Sequence, residues 1–151
     1  MKLTEILSPQ CVRVPLVAAD KTGVITELVD LLAEQGRIAD RDQVLTAVLN
    51  RERTASTGIG RGLAVPHGKS AGCSELVMAM GKPSPPMDFE SKDGEPVEIV
   101  VLLASPPDKT GPHIQALARI SRLMLLDSFR AALAEATTAD QLWSIIESHE
   151  S

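Results

Sequence analysis

Two short apolar runs do most to limit what this chain can fold into. Residues 76–80 and 97–104 are rich in Val, Ile and Leu and are bounded by Gly, Pro and charged residues. A strand that is apolar on both faces is stable only when both faces are covered, so these runs are expected to be central strands with helices above and below. The helices can be read from the 3.6-residue period. Asp20 precedes Val24, Ile25, Leu28, Val29, Leu31 and Leu32 on one face, and Gly36 follows as a stop. Asp40 and Gln43 form a capping-box pattern ahead of Val44, Leu45, Val48 and Leu49, which predicts a second helix to about Arg53. Residues 113–126 predict a third, with Ile114, Leu117, Ile120, Leu123 and Met124 available for packing. Asp127 is expected to cap a short fourth helix. Thr138 and Gln141 repeat the capping pattern before Leu142, Trp143, Ile145 and Ile146 in a last helix. Val12, Val14 and Val17 suggest an early strand that Pro15 confines to an edge, a bulge or a strand end. Helices before, between and after strands imply a three-layer α/β sandwich, with a central mixed β-sheet flanked by helices. Strand order stays open. No repeat or linker divides residues 1–151, so a single domain is expected.

Composition narrows the function classes. With 151 residues, 44% of them hydrophobic and 23% charged, the chain can bury a core without disulfide or metal staples. Its net charge is -5 and only 2% of its residues are aromatic. An acidic chain without a Lys/Arg cluster lacks both the electrostatic footprint and the stacking surface that nucleic acid needs. Cys11 and Cys73 have no motif spacing and are expected to be reduced, buried thiols. The N-terminal residues carry no apolar signal region, and no stretch is long enough to span a bilayer. A cytoplasmic location without membrane insertion is the expectation.

The chemistry is concentrated in residues 51–70, where Gly58, Gly60 and Gly62 alternate ahead of an apolar stretch ending in Pro66-His67-Gly68. Glycines allow unusual dihedrals and close backbone approach, while Pro66 biases Val65 toward an extended conformation. This predicts that His67 projects from a stiff strand end. Gly68-Lys69-Ser70 resembles the end of a phosphate-binding loop, but Leu63 stands where that loop requires glycine. The same leucine breaks the dinucleotide fingerprint. Zinc needs three or four clustered ligands, and the chain offers only His67, His113, His149 and two separated cysteines. A Gly-x-Ser-x-Gly hydrolase elbow does not occur. No cofactor or metal is therefore expected, and what remains is a histidine that is itself a nucleophile. A neutral imidazole can accept a phosphoryl group if hydrogen-bond donors and positive charge lie nearby. Arg51, Arg53, Ser56, Thr57 and the amides around Gly68 and Lys69 are candidates. Arg51 and Arg53 could equally complement the C-terminal dipole of their helix, and Lys69 could simply be solvated. His113 could be no more than a polar residue at a helix start after Pro112, contributing little to the core. Leu63 and Val65 flank the site as candidate apolar contacts for a partner with a basic and apolar face. His149, close to the terminus, is assigned no role.

The string Arg-Glu-Arg-x-x-Ser-Thr-Gly-Ile-Gly-x-Gly-x-Ala-x-Pro-His-Gly, which begins at Arg51, resembles the active-site signature of the fructose and mannitol class of phosphotransferase-system IIA proteins, above all their nitrogen-regulatory branch. The resemblance extends over nearly the whole chain. It implies that His67 is the phosphoryl acceptor, that His113 faces it as a second active-site histidine, and that Arg51 is the basic residue of the site. It also implies a small histidine phosphocarrier protein as donor. The acceptor would be a regulatory target, or a IIB component if the chain serves sugar uptake as a separate subunit. A binding module that never carries phosphate would lack the nucleophile, and the intact Pro66-His67-Gly68 argues against that reading.

Overall fold

In the computed structural model, which describes residues 2–150, a six-stranded mixed sheet lies between two groups of helices. A short 3-10 turn at Leu3–Glu5 leads into β1 (Leu7–Arg13), followed by α1 (Lys21–Glu34) and α2 (Arg41–Thr54). Three short strands come next, β2 (Gly58–Gly60), β3 (Leu63–Ala64) and β4 (His67–Lys69), and then β5 (Val77–Gly81) and β6 (Ile99–Ser105). The chain closes with α3 (Thr110–Leu123), α4 (Asp127–Glu135) and α5 (Ala139–Glu150).

The two apolar runs do form the centre. Every residue of β5 and β6 is buried, and the two strands pair antiparallel. β1 adds in parallel beyond β5, while β3 and β4 both pair in parallel with the other side of β6 and β2 closes that edge. α1 and α2 pack on each other, with α1 against β5 and β6 and α2 against β4. On the other side of the chain order, α3 packs on β6, α4 on α5, and α5 on β1. This is the expected three-layer sandwich.

Local rules explain most boundaries. The Asp20 and Asp40 side chains accept from Gly23 N and Gln43 N, closing the first turns of α1 and α2. Gly36, at φ +70, ends α1 in a Schellman motif, with Arg37 N bonding Leu32 O and Gly36 N bonding Ala33 O. Three expectations are corrected. The early strand is β1, which carries Pro9 at the sheet edge and stops before Pro15, and Val17 is exposed. Asp127 lies in the first turn of α4 and does not cap it; Leu126 holds the cap position without a side-chain bond. α3 begins at Thr110, so Pro112 is its third residue. That position costs little, because the first four N–H groups of a helix have no partner inside it.

β3 and β4 are one strand with a break. Leu63 pairs with Ile99 and Ala64 with Val100; after Val65 and Pro66, His67 pairs with Leu103 and Gly68 with Ala104 in the same register. Pro66 cannot donate, but its carbonyl accepts from Leu103 N, while Val65 N turns to Thr57 O. His67 is thus the first residue of β4, immediately after the break, so it does stand at a strand end. Behind it α2 comes so close that a Cβ on Gly68 would stand 2.9 Å from Val48 N and 3.0 Å from Ala47 C. Those are backbone atoms and cannot rotate away. Gly68→Ala is therefore expected to cost about 1–3 kcal/mol by overpacking, seen as a lower melting temperature. An unchanged melting temperature would contradict this close approach.

Candidate active site at His67 and His113

The break at Val65 and Pro66 bends the chain so that Nδ1 of His67 lies 2.8 Å from the Val65 carbonyl oxygen. A carbonyl can only accept, so Nδ1 must carry the proton and Nε2 keeps its lone pair. The ring is half-buried. Burial holds its pKa below the ordinary imidazole value, helped by Arg51 and Lys69 and opposed by the Val65 bond and Glu52. At neutral pH the His67 ring is neutral, and its Nε2 lone pair is the atom able to act as a nucleophile.

His113 faces it across 5.3 Å between ring centroids, with the planes at 66°. It is 3% exposed, so the expectation of a lightly buried helix-start residue is corrected. α3 starts three residues earlier than the periodicity suggests, and His113 N already bonds Lys109 O within the helix. Nδ1 of His113 lies 2.7 Å from Ser105 Oγ, whereas its Nε2 is buried without a hydrogen-bond partner among the described residues. A buried ring nitrogen without a protein partner is available to a polar group that enters the site. Burial, then the nearby His67 and Lys69, push its pKa down to about 4, so the ring is neutral.

Two cations complete the cluster. Arg51 and Lys69 both act on His67, and Lys69 also on His113. Arg51 Nη1 donates to Ala55 O at 2.8 Å, so it closes the end of α2 while its charge stays near the imidazole. Lys69 Nζ donates to Thr110 Oγ1 at 2.9 Å and bridges β4 to the start of α3. It is exposed but not idle.

The other candidates have partners of their own. Ser56 Oγ donates to Phe89 O and accepts from Gly58 N, and Thr57 gives both its N–H and its hydroxyl to Glu52. Neither hydroxyl is free for phosphate; both tie down the glycine-rich loop. Glu52, buried and paired with Lys21 Nζ at 3.0 Å, is the anchor that sequence reasoning missed. Arg53 bonds Asn50 and lines a cleft of ≈ 330 Å³ with Lys21, Glu52 and Glu90, a lining that includes neither His67 nor His113. Gly60, the last residue of β2, and Arg61 and Gly62 in the tight turn to β3 all adopt positive φ, and Asp93 receives Arg61 N. Leu63 and Val65 are 1% and 2% exposed and cannot meet a partner. Ile114, which follows His113 in α3, is exposed. His149 does not fray: its ring packs edge-on to Phe129.

With this geometry in place, the family described as "Phosphoenolpyruvate-dependent sugar phosphotransferase system, EIIA 2" matches residues 5–149. The chain belongs to that family. It is 36% identical over 150 residues, 99% of its length, to the Bacillus subtilis PTS system fructose-specific EIIABC component, of which it spans about a quarter (24%). It is 32% identical over 146 residues to a nitrogen regulatory protein of Bradyrhizobium diazoefficiens, covering 97% of this chain and 95% of that one. The solved nitrogen regulatory protein IIA-Ntr of Neisseria meningitidis is similar to it with a TM-score of 0.86 at 28% identity, covering 95% of this chain and 98% of that one. Among the described residues no helix is long and apolar enough to cross a membrane.

The chain has a pH signature set by the buried imidazole of His113. His113 folds with a pKa of about 4, while an unfolded histidine titrates near 6.5. Between those values the unfolded state binds the extra proton, so stability falls as pH drops through that window and this group adds no further loss below it. The expected loss is on the order of 3 kcal/mol. Urea unfolding at pH 7 and pH 4.5 measures it, and His113→Gln should flatten that part of the profile. A wild-type profile flat down to pH 4.5 would refute the buried neutral ring.

Proposed function

We propose that this protein is a phosphohistidine carrier of regulatory type. Nε2 of His67 accepts a phosphoryl group from a small histidine phosphocarrier protein in the cytoplasm, and target proteins respond to the phosphorylated and unphosphorylated forms differently. The observation that carries the reading is the pair of neutral imidazoles, with the Val65 carbonyl holding Nδ1–H of His67 so that its Nε2 stays free.

The step balances without a proton transfer. The His67 lone pair forms the new N–P bond, the donor's P–N bond breaks, and the electron pair leaves with the donor imidazole. Charge spread over three phosphoryl oxygens in a loose transition state asks the protein mainly for position and positive potential. Arg51 and Lys69 supply the potential, and His113 supplies a donor at Nε2. Ile114, 59% exposed and next to His113, offers the partner an apolar contact. A dianionic group added at this surface changes which partner face it fits.

A second reading has its own support. The likeness to a fructose-specific protein over 99% of this chain favours a sugar-specific IIA component that hands phosphate to a IIB protein. Incubation with phosphoenolpyruvate, enzyme I and the cognate small carrier, with and without a candidate IIB acceptor, separates the two. Phosphate retained on the chain in the presence of IIB supports regulation; rapid, complete discharge to IIB supports sugar transfer; no uptake at all refutes both.

A further inference from the structure

Ser105 is the last residue of β6 and has no exposed surface. Among the described residues its hydroxyl has one hydrogen-bond partner, His113 Nδ1 at 2.7 Å. Two proton arrangements fit that contact. If Nδ1 carried the proton and donated it, the serine O–H would be buried without an acceptor and His113 Nε2 would be a buried lone pair without a donor. If the serine O–H donates to Nδ1, only the Nε2–H of His113 lacks a partner. Stranded buried polar groups are costly, so the arrangement with fewer of them is favoured.

We propose that Ser105 is a positioning residue for phosphoryl transfer: its hydroxyl donates to Nδ1 of His113, fixes the ring, and leaves Nε2–H to meet a phosphoryl oxygen on His67. The proposal rests on His67 as the acceptor. The two rings are then held in opposite tautomers, His67 by a carbonyl that can only accept and His113 by a hydroxyl that donates. β6 governs both. His67 pairs with Leu103, two residues before Ser105, and Lys69 pairs with Ser105 itself, so a single buried strand sets the spacing of nucleophile, cation and donor. A hydrogen bond to the far nitrogen of a working imidazole is a usual means of fixing its orientation.

Nitrogen-15 NMR of histidine-labelled protein near pH 7.5 reads the tautomers directly. Expected are a proton on Nδ1 of His67 and a proton on Nε2 of His113. In Ser105→Ala the His113 Nδ1 resonance should move to that of an unbonded ring nitrogen, and kcat for phosphoryl uptake should fall roughly tenfold with KM for the donor unchanged. In a His113→Gln background, where the amide donor needs no tautomer, Ser105→Ala should slow transfer no further. A proton on Nδ1 of His113 in the native protein, a Ser105→Ala variant at full rate, or an equal loss in the Gln background would each overturn the proposal. Labelling of a residue other than His67 would instead remove the functional reading and leave the tautomer result standing.

Discussion

His67→Ala is expected to take up no phosphoryl group from the phosphorylated small carrier, where the native protein is expected to take up one as an acid-labile phosphoramidate. The loss should be complete, because a removed nucleophile leaves no atom to form the bond. The fold should survive: His67 is only half-buried, and its backbone pairing with Leu103 does not depend on the side chain. His113, 5.3 Å away, is a poor substitute, since it is 3% exposed and its Nδ1 is already engaged by Ser105. Lys69 is no substitute either, because an ammonium has no lone pair to offer. Intact-mass measurement at neutral pH, with circular dichroism to confirm folding, decides the matter. One phosphoryl group on the folded Ala variant would overturn the assignment of His67.

The second large effect is expected at His113. Removing one preorganised donor from a charge-developing transition state costs about 2–4 kcal/mol, or roughly 30-fold to 1,000-fold in rate. His113→Ala should lose this much in transfer, with phosphate still found on His67. The same substitution also empties a buried site and strands Ser105, so some loss of stability comes with it. His113→Gln separates the two effects, because its amide can place an N–H close to where Nε2 stood. Transfer should be largely restored in Gln and not in Ala, even after correction for the folded fraction. Equal rates in the native protein and the Ala variant, or phosphate mapped to His113, would return that residue to a structural role.

How much of this was legible in the sequence depends on the range of the forces involved. Helices α1, α2 and α5 could be read because their caps and apolar stripes are local, and the cap bonds of Asp20, Asp40 and Thr138 are present. β5 and β6 could be read because doubly buried strands are apolar throughout. β1 was blurred because Leu7-Ser8-Pro9-Gln10 has no clean alternation, and pairing with β5 is what makes it a strand. The start of α3 was hidden by Gly111 and Pro112, which read as loop until the packing of His113 and Ala116 against the sheet selects helix.

The site divided in the same way. His67, His113 and Arg51 could be named from the segment and its resemblance, and the fold brings the two rings together with the Arg51 charge nearby. Ser105 and Glu52 could not, since one is a serine after an apolar run and the other a charge on a polar helix end. What gives them roles is a contact eight residues away in one case and a loop folding back five residues in the other. Ser56 and Thr57 looked free for phosphate only because their partners, Phe89 O and Glu52, are not apparent from a linear reading.

The Glu150 carboxylate, buried beneath the last turn of α5, receives Leu3 N at 2.6 Å and Thr4 N at 3.1 Å and pairs with Arg119 at 3.0 Å. The first and last turns of the fold are therefore neighbours, and a short Gly/Ser bridge would suffice to close the polypeptide into a ring. Cutting that ring at Gly94, exposed, at φ +73 and with open space around it, would give a circular permutant whose His67–His113 spacing is untouched. Any domain fused before Leu3 or after Glu150 would leave from this same patch of surface, so a fusion at one end competes for room with a fusion at the other.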